Sequence, residues 1–231
     1  MLRAMSTQGV TLASAREILG RDVLGPEEIG SAFGPVGDLG PTAATVPFAA
    51  EELRRAKSNG ELLVLRVPMS RGEPLTLQWL IRRFPGAFNP AFLRKVGYQL
   101  KDEWGIELEP LAATETCRSS WALVRKAVVD ETRNLDYVAQ DKTLAKYANG
   151  RAGRLRRRTA IEAAFDLIAF QHVRGERLLA NAWDWSQSRT EDGGYLNIGH
   201  FDEKGLQVFS YSQAVRHGQL GVCPNFDPVN Q

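Results

Sequence analysis

The C-terminal part of the chain places the strongest constraint on its fold. Three short apolar runs, within residues 195–198, 206–209 and 220–223, follow one another and are separated by turns that contain glycine. Parallel neighbouring strands need a crossover of a dozen or more residues, usually a helix, whereas antiparallel neighbours need only a short turn. The close spacing of these runs therefore predicts an antiparallel sheet in this part of the chain.

A helix before this block makes the predicted fold class α+β. Residues 159–173 carry Ile161, Phe165 and Ile168 near helical spacing, and Gly175 follows as a stop signal. A helix followed by strands with no further helix between them is typical of α+β proteins. Upstream, the sequence predicts helices over residues 12–19, 26–30, 49–58, 77–84, 88–101 and 135–148, and strands over residues 61–67 and 121–129.

Residues 33–47 divide the chain into two parts. This stretch is rich in glycine and proline, which is typical of a linker. The predicted organisation is an N-terminal extension over residues 1–48, made of short helices and this linker, and one main domain over residues 49–231.

Charge and hydropathy narrow the class of protein. The chain has 29 basic and 27 acidic residues, and a net charge of +2 is too balanced to indicate nucleic-acid binding from the total alone. No apolar run approaches the ~20 residues that span a bilayer, and the N-terminus has no apolar signal region. We therefore expect no membrane span, and a cytoplasmic protein or one exported by a route that the sequence does not show.

Patterns for catalysis and metal binding are sparse. His200 precedes Asp202 by two residues, and Cys223 lies in the last apolar run, so an enzyme with a site near these three residues is one hypothesis. Zinc needs three or four convergent ligands and calcium six or more oxygens, and we predict no metal site and no cofactor. Cys117 and Cys223 are the only cysteines, and we expect free thiols with at least one of them buried.

Five arginines precede the helix predicted over residues 159–173: Arg151, Arg154, Arg156, Arg157 and Arg158. A phosphate-binding patch is one interpretation, and a nucleic-acid-associated protein is the hypothesis that follows from it. The interpretation that we favour is a solvated loop and helix start. Positive charges before a helix N-terminus oppose the helix dipole, so a bound anion or nearby carboxylates would have to offset them.

Alternation along the terminal strands separates two faces. Leu196, Ile198, Leu206 and Val208 point one way and predict a core face, because successive strand residues point to opposite sides. The opposite face is predicted to display Tyr195, Asn197, Gln207 and Phe209. Aromatic side chains combined with small polar ones suit a binding surface. Trp183 and Trp185 have the same parity, and we expect them to pack against the helix that begins near Thr159, with stacking on a ligand as the alternative.

A set of motifs in the terminal block carries a resemblance to a known family. They are Trp185-Ser186 with Arg189, followed by residues 194–202, 205–208 and 220–223. Together with residues 11–14, 18–21 and 175–179, they resemble the variable proteins that diversity-generating retroelements diversify. The resemblance covers both ends of the chain, and this sequence departs from it at Pro224, where the family usually continues with Ser-Arg.

The resemblance implies a fold and a function. The fold is C-type lectin-like, with two main helices and a C-terminal antiparallel sheet block, and the function is non-enzymatic binding of a protein or glycan ligand. The related formylglycine-generating enzymes share the fold, and an enzyme of this kind with a site near His200, Asp202 and Cys223 is the alternative, although Cys117 and Cys223 do not by themselves place the active-site cysteines that this activity needs. The implied ligand-binding residues are Arg189, Tyr195, Asn197, His200, Gln207, Phe209, Tyr211, Arg216 and His217.

Overall fold

The computed structural model describes residues 9–37, 44–89, 105–148, 151 and 153–228. Within these residues the fold is mixed α+β, as the sequence predicts. The helices are α1 (Leu12–Leu19), α2 (Pro26–Phe33), α3 (Ala50–Ser58), α4 (Leu77–Arg83), α5 (Pro110–Thr114), α6 (Tyr137–Leu144) and α7 (Ala160–Arg174). The strands are β1 (Val10–Thr11), β2 (Val23–Leu24), β3 (Thr45–Val46), β4 (Glu61–Arg66), β5 (Met69–Ser70), β6 (Glu73–Pro74), β7 (Ser120–Arg125), β8 (Arg154–Arg156), β9 (Trp183–Arg189), β10 (Tyr195–Asp202), β11 (Gly205–Tyr211), β12 (Leu220–Gly221) and β13 (Asn225–Asp227). None of the helices in this part of the chain combines the length and apolar character that a bilayer crossing requires.

Helix α7 is the centre of the packing. The Thr159 hydroxyl accepts a hydrogen bond from the backbone N–H of Glu162, whose carboxylate accepts one from the backbone N–H of Thr159. This capping box satisfies two N–H groups that the first turn leaves unpaired, and Gly175 ends the helix in the left-handed region at φ 72°. Residues 160–170 are all buried, and α7 packs against β4 as well as β9 and β10. The helix therefore contacts both large sheets.

The larger sheet has five strands in the order β2-β4-β7-β13-β8. Its strand β4 is buried along its whole length and pairs antiparallel with β7, from Glu61 opposite Arg125 to Arg66 opposite Ser120. Strand β13 lies between β7 and β8 and pairs antiparallel with both. The chain thus returns to the middle of this sheet after it has completed the terminal block.

Residues of the predicted N-terminal extension pack onto the predicted main domain. Strand β2 pairs in parallel with β4, α1 packs against α3, and α2 packs against α7. The Arg174 guanidinium donates 2.9 Å hydrogen bonds to the backbone carbonyls of Arg21 and Val23. Buried residues of the extension belong to the same hydrophobic cluster as α7 and the two large sheets. Residues 38–43 of the predicted linker lie outside the described part.

The second sheet has four strands in the order β11-β10-β9-β12. Strands β9, β10 and β11 are antiparallel neighbours, so the antiparallel prediction is confirmed for them. It is wrong for β12, which pairs in parallel with β9 through Leu220 opposite Trp183. Residues 212–219 make this possible, because they carry the chain from β11 at one edge of the sheet to β12 at the other.

Most of the upstream elements form close to their predicted bounds. Helix α6 starts at Tyr137 because the Asp136 carboxylate caps it by accepting a hydrogen bond from the backbone N–H of Ala139. Strand β7 ends at Arg125, four residues before the predicted end. The helix predicted over residues 88–101 falls almost wholly outside the described residues. Phe88, which is described, instead forms a parallel bridge with Leu206 on the edge of β11.

Candidate functional site

The four-stranded sheet has two faces with separate hydrophobic clusters. Leu196, Ile198, Leu206 and Val208 are buried in the main core with α7, which confirms the predicted core face. The other face, called here the outer face, carries its own cluster: Tyr137, Trp185 and Leu220, with Trp183, Tyr195, Tyr211 and Val215 packed around them. The expectation that Trp183 and Trp185 pack against the helix after Thr159 is wrong. Their parity places them on the outer face, away from that helix.

Tyr137 anchors the outer face from outside the sheet. Its ring stacks on Tyr195 with 3.9 Å between centroids and meets Trp185 edge-on at 5.1 Å. The Arg157 guanidinium lies 3.8 Å from the same ring centroid, within cation–π range. The Tyr137 hydroxyl donates a 3.2 Å hydrogen bond to the backbone carbonyl of Ser186, and burial raises the pKa of the phenol well above its ordinary value. Helix α6 is thereby fixed to the sheet.

One end of the outer face presents two tyrosines and an arginine. Tyr195 on the central strand β10 lies opposite Arg189 on one side and Tyr211 on the other. The exposed Arg189 guanidinium lies 4.5 Å from the Tyr195 ring centroid, and both tyrosines are half-buried. The Tyr211 ring also packs at 4.8 Å from the ring of Phe209. This end offers solvent-accessible aromatic area next to a cation.

The other end of the outer face is built around Trp183. His200 lies against the indole with 4.1 Å between ring centroids, and His217 meets it edge-on at 5.5 Å. The His200 imidazole Nε2 is 3.1 Å from the side-chain oxygen of Gln219. The backbone N–H of Gln219 donates a hydrogen bond to the His217 Nδ1. His200 has a left-handed backbone, at φ 44°, where the register of β10 shifts. This distortion turns its ring toward Trp183.

The loop of residues 212–219 crosses the outer face and is tied to the region around α6. Its carbonyls at Gln213 and His217 accept hydrogen bonds from the backbone N–H groups of Tyr137 and Asn134. Arg216 forms a 2.7 Å ion pair with Asp136. This ion pair and the hydrogen bond from the Ala139 N–H keep the pKa of the Asp136 carboxyl below its ordinary value, with the N–H contributing more. Arg216 is exposed and His217 half-buried, so both reach the surface.

Three of the nine predicted ligand-binding residues are not displayed to solvent. Asn197, Gln207 and Phe209 are buried, which corrects the expectation that the outer face displays them. For Asn197 the physical reason is that Tyr137 and Val215 come from outside the sheet and pack around Trp185, which lies opposite Asn197. Gln207 and Phe209 lie on the edge strand β11, which residues 85–87 contact. The other six predicted residues are at least partly exposed at its two ends: Arg189, Tyr195, His200, Tyr211, Arg216 and His217.

The residues proposed for an enzyme site do not come together. His200 contacts Trp183 and Gln219, and the Asp202 carboxylate accepts a hydrogen bond from the backbone N–H of Lys204. Cys223 is a buried free thiol whose pKa is raised by burial, far from the properties of a reactive thiolate. Among the described residues, no hydrogen bond, ion pair or ring contact joins His200, Asp202 and Cys223. The expectation of two free thiols is confirmed, since Cys117 is also free and buried.

The arginine cluster is neither a phosphate-binding patch nor a solvated loop. Arg151 pairs with Glu52 and Glu61, and Arg156 pairs with Glu162 and Asp227. Arg157 is 4% exposed and forms an ion pair with Asp141. Arg158 is 2% exposed and forms ion pairs with Asp166 and Asp184. Arg154 is the member of the cluster that remains exposed. The offsetting carboxylates expected from the sequence are present, and they hold the side chains inside the fold.

A buried charge network lies beneath the sheet. Arg66, which is fully buried on β4, donates to both carboxylate oxygens of Asp166 at 2.9 and 2.6 Å. Asp166 also forms an ion pair with Arg158, and Arg158 forms a second ion pair with the fully buried Asp184 of β9. The network therefore links both large sheets through α7. Nothing in the local sequence around Arg66 indicates it, because its partner lies one hundred residues away.

Two residues that shape the outer face come from outside the predicted site. Tyr137 and Arg157 lie outside the terminal block, so alternation along the strands gives no signal for them. Trp183 and Trp185 do carry a signal, their shared parity, but parity alone does not say which of the two faces of the sheet they occupy. For metals, no group of three or more histidine, cysteine, aspartate or glutamate side chains in the described part of the chain is arranged to hold an ion.

Comparison with known proteins gives no match: no family model, no curated protein and no solved structure shows significant similarity to this chain.

Proposed function

We propose that this protein is a non-enzymatic ligand-binding protein with a C-type lectin-like fold. Its ligand, a protein or a glycan, would bind the C-terminal strands and loops at the exposed ends of the outer face. The observation that carries the proposal is the separation of the two faces of one sheet. The inner face belongs to the main core, while the outer face forms its own aromatic cluster and reaches solvent at Arg189, Tyr195 and Tyr211.

This separation suits a binding surface that changes between variants of the protein. Leu196, Ile198 and Val208 hold the sheet against α7 and are at most 1% exposed. Substitutions at Arg189 and Tyr211 leave those contacts intact, and surface substitutions away from special features usually cost under ~0.5 kcal/mol. Tyrosine supplies large contact area with few rotatable bonds, which favours affinity at low entropic cost.

The order of elements is compatible with a C-type lectin-like fold. A strand, β4, and two helices, α4 and α7, precede the terminal strands. Strand β13 then returns from that block to pair with β7 beside β4. The terminal-block motifs that resemble those of retroelement-diversified variable proteins fall in or next to β9, β10, β11 and β12, where the outer face lies.

Deep sequencing of the 3′ end of the gene across a population of the source cells tests the proposal. We expect substitutions at the codons for Arg189, Tyr195 and Tyr211, and constancy at the codons for Leu196 and Ile198. An invariant 3′ end would overturn the diversified-binder proposal, and a uniform spread of substitutions over core and surface codons would do the same.

A binding experiment tests the location of the site. Screening the purified protein on glycan arrays and on a displayed peptide library would supply a ligand, and Arg189→Ala and Tyr211→Ala should then weaken its binding. Leu108→Ala is the matched control, because Leu108 is 64% exposed and lies outside the sheet. Unchanged binding in both sheet variants, with folding intact, would place the ligand elsewhere.

A further inference from the structure

Four buried polar atoms on the outer face have no hydrogen-bond partner within the described part of the chain. They are the side-chain oxygen and nitrogen of Asn197 and the indole nitrogens of Trp183 and Trp185. Asn197 and Trp185 are fully buried. Buried polar groups in native proteins are almost always paired, so a cluster that is unpaired requires a reason.

These atoms belong to neighbouring positions on one face. Asn197 lies directly opposite Trp185 on β9 and opposite Phe209 on β11. Side chains at such paired positions are in contact across the strands. Trp183 lies two residues further along β9 and therefore points to the same side. The Asn197 amide is thus set between two aromatic side chains, with a second indole next to it along the strand.

We infer that this cluster is a subsite for a secondary amide, such as an acetamido group, of the ligand. The inference rests on the proposed function, because it assigns a ligand chemistry to the same face. The Asn197 side chain has one acceptor oxygen and a donor NH2, and each indole adds one donor. A secondary amide carries a carbonyl, which can accept from the Asn197 amide and from an indole, and an N–H, which can donate to the Asn197 oxygen.

Other ligand groups fit this set of atoms less well. A carboxylate accepts hydrogen bonds but has none to donate, so it would leave the Asn197 oxygen unpaired and would bring a buried charge. An ammonium group would meet three donors with a single acceptor. The apolar part of an acetamido group, its methyl, matches the aromatic side chains of Trp185 and Phe209 on both sides.

Two side chains close the subsite from outside the sheet. Tyr137 is fixed by its hydroxyl and by Arg157, as described above. Val215 is half-buried, and six of the other residues in the loop of residues 212–219, among them Ala214 and Arg216, are exposed. Displacement of Val215 therefore disturbs fewer contacts than displacement of Tyr137, and it is the route by which an amide would enter.

Titration of the 15N-labelled protein with N-acetylglucosamine, followed by NMR, tests the inference. We expect shifts of the Trp183 and Trp185 indole N–H signals and of the Asn197 side-chain amide signals. Glucose, which lacks the acetamido group, is the matched control probe and should leave them unchanged. A second arm uses N-acetylalanine methylamide, so that a response to this probe alone identifies a peptide ligand and a response to the sugar alone identifies a glycan.

Variants sharpen the result. Asn197→Leu should raise the dissociation constant of the responding probe about tenfold or more, since it removes at least two hydrogen bonds. Asn181→Leu, the same substitution at an exposed turn position, should leave it unchanged. Val215→Ala keeps every subsite atom and should lower the dissociation constant. This second variant keeps the inference testable where Asn197→Leu fails to fold.

The outcomes separate this inference from the proposed function. No response of wild type and Val215→Ala to either amide probe would overturn the amide subsite, as would an equal response to glucose. If Arg189→Ala and Tyr211→Ala still abolish binding of a screened ligand in that case, the proposed function stands without the subsite. A response to an amide probe combined with an invariant 3′ end would support a fixed binding site in place of a diversified one.

Discussion

The buried charge network makes a strong prediction about stability, at Asp166. This carboxylate is 1% exposed and neutralises two arginines at once, Arg66 and Arg158. Asp166→Leu keeps a side chain of similar size but leaves both cations without this partner. Removing one member of a buried ion pair costs about 3–5 kcal/mol. We expect the lower part of this range, because Arg66 keeps Glu162 at 3.3 Å and Arg158 keeps Asp184 at 2.8 Å.

The measurement is urea unfolding followed by circular dichroism, together with a thermal scan. For a chain of this size, a cost of about 3–4 kcal/mol corresponds to a fall in Tm of roughly 6–16 °C. Arg21→Ala is the control, because its partner Glu176 and Arg21 itself are each 56% exposed, and such surface pairs contribute about 0–1 kcal/mol. A cost below about 1 kcal/mol for Asp166→Leu would refute the reasoning that the network depends on this carboxylate.

A double-variant cycle separates the pair from the rest of the network. Arg66→Met combined with Asp166→Leu replaces both charges by apolar side chains, so the double variant should lose less stability than the sum of the two single losses. For groups in contact such coupling amounts to roughly 0.5–3 kcal/mol. Strictly additive losses would show that the two side chains act independently despite their 2.6 Å contact.

Three further predictions concern acid stability, backbone geometry and thiol reactivity. Burial raises the pKa of Glu162, but Arg66 and other partners outweigh burial and lower the pKa from 4.5 to about 2. The folded state should therefore lose stability as the pH falls from about 4.5 through 2. Unfolding measured as a function of pH should show a smaller loss of stability over this range for Glu162→Gln. Gly205 has φ 105°, and a Cβ added there would lie 2.6 Å from the Phe88 backbone, whereas Gly193 has φ 86° and open space around an added Cβ. Gly205→Ala should therefore lower Tm clearly more than Gly193→Ala. Equal shifts of the two variants in thermal scans would contradict this. Cys223 should resist iodoacetamide in mass spectrometry until the chain unfolds, because burial raises its pKa, and fast labelling of the native protein would show the burial to be incorrect.

The sequence predicts the elements whose signals are local. Helix α7 can be predicted because its capping residue Thr159, its apolar spacing and its terminal Gly175 all lie within one short segment. The core face of the terminal strands is readable from alternation alone, which depends only on strand geometry. Leu196 and Ile198 are accordingly buried where the pattern places them.

The rest depends on contacts between distant segments. Alternation distinguishes two faces of a strand but does not say what covers the second one, and Tyr137, which covers it, lies on α6 far from β10 in sequence. Arg151 looks like a surface charge next to its neighbours, yet its partners Glu52 and Glu61 are 99 and 90 residues away. Strand β2 has only two residues and carries no pattern of its own. Tertiary packing decides all three.

The placement of β13 determines whether truncated copies of this protein can fold and persist in the cell. Asn225 and Phe226 form the strand between β7 and β8, with Phe226 1% exposed and the Arg151 guanidinium 3.7 Å from its ring centroid. The ribosome makes this strand after every codon of the outer face. A frameshift or premature stop anywhere in that region therefore deletes an interior strand of the larger sheet, and the truncated product cannot complete its core. Cellular proteases remove such unfolded chains, so the molecules that persist are those whose outer face was translated in frame to its end.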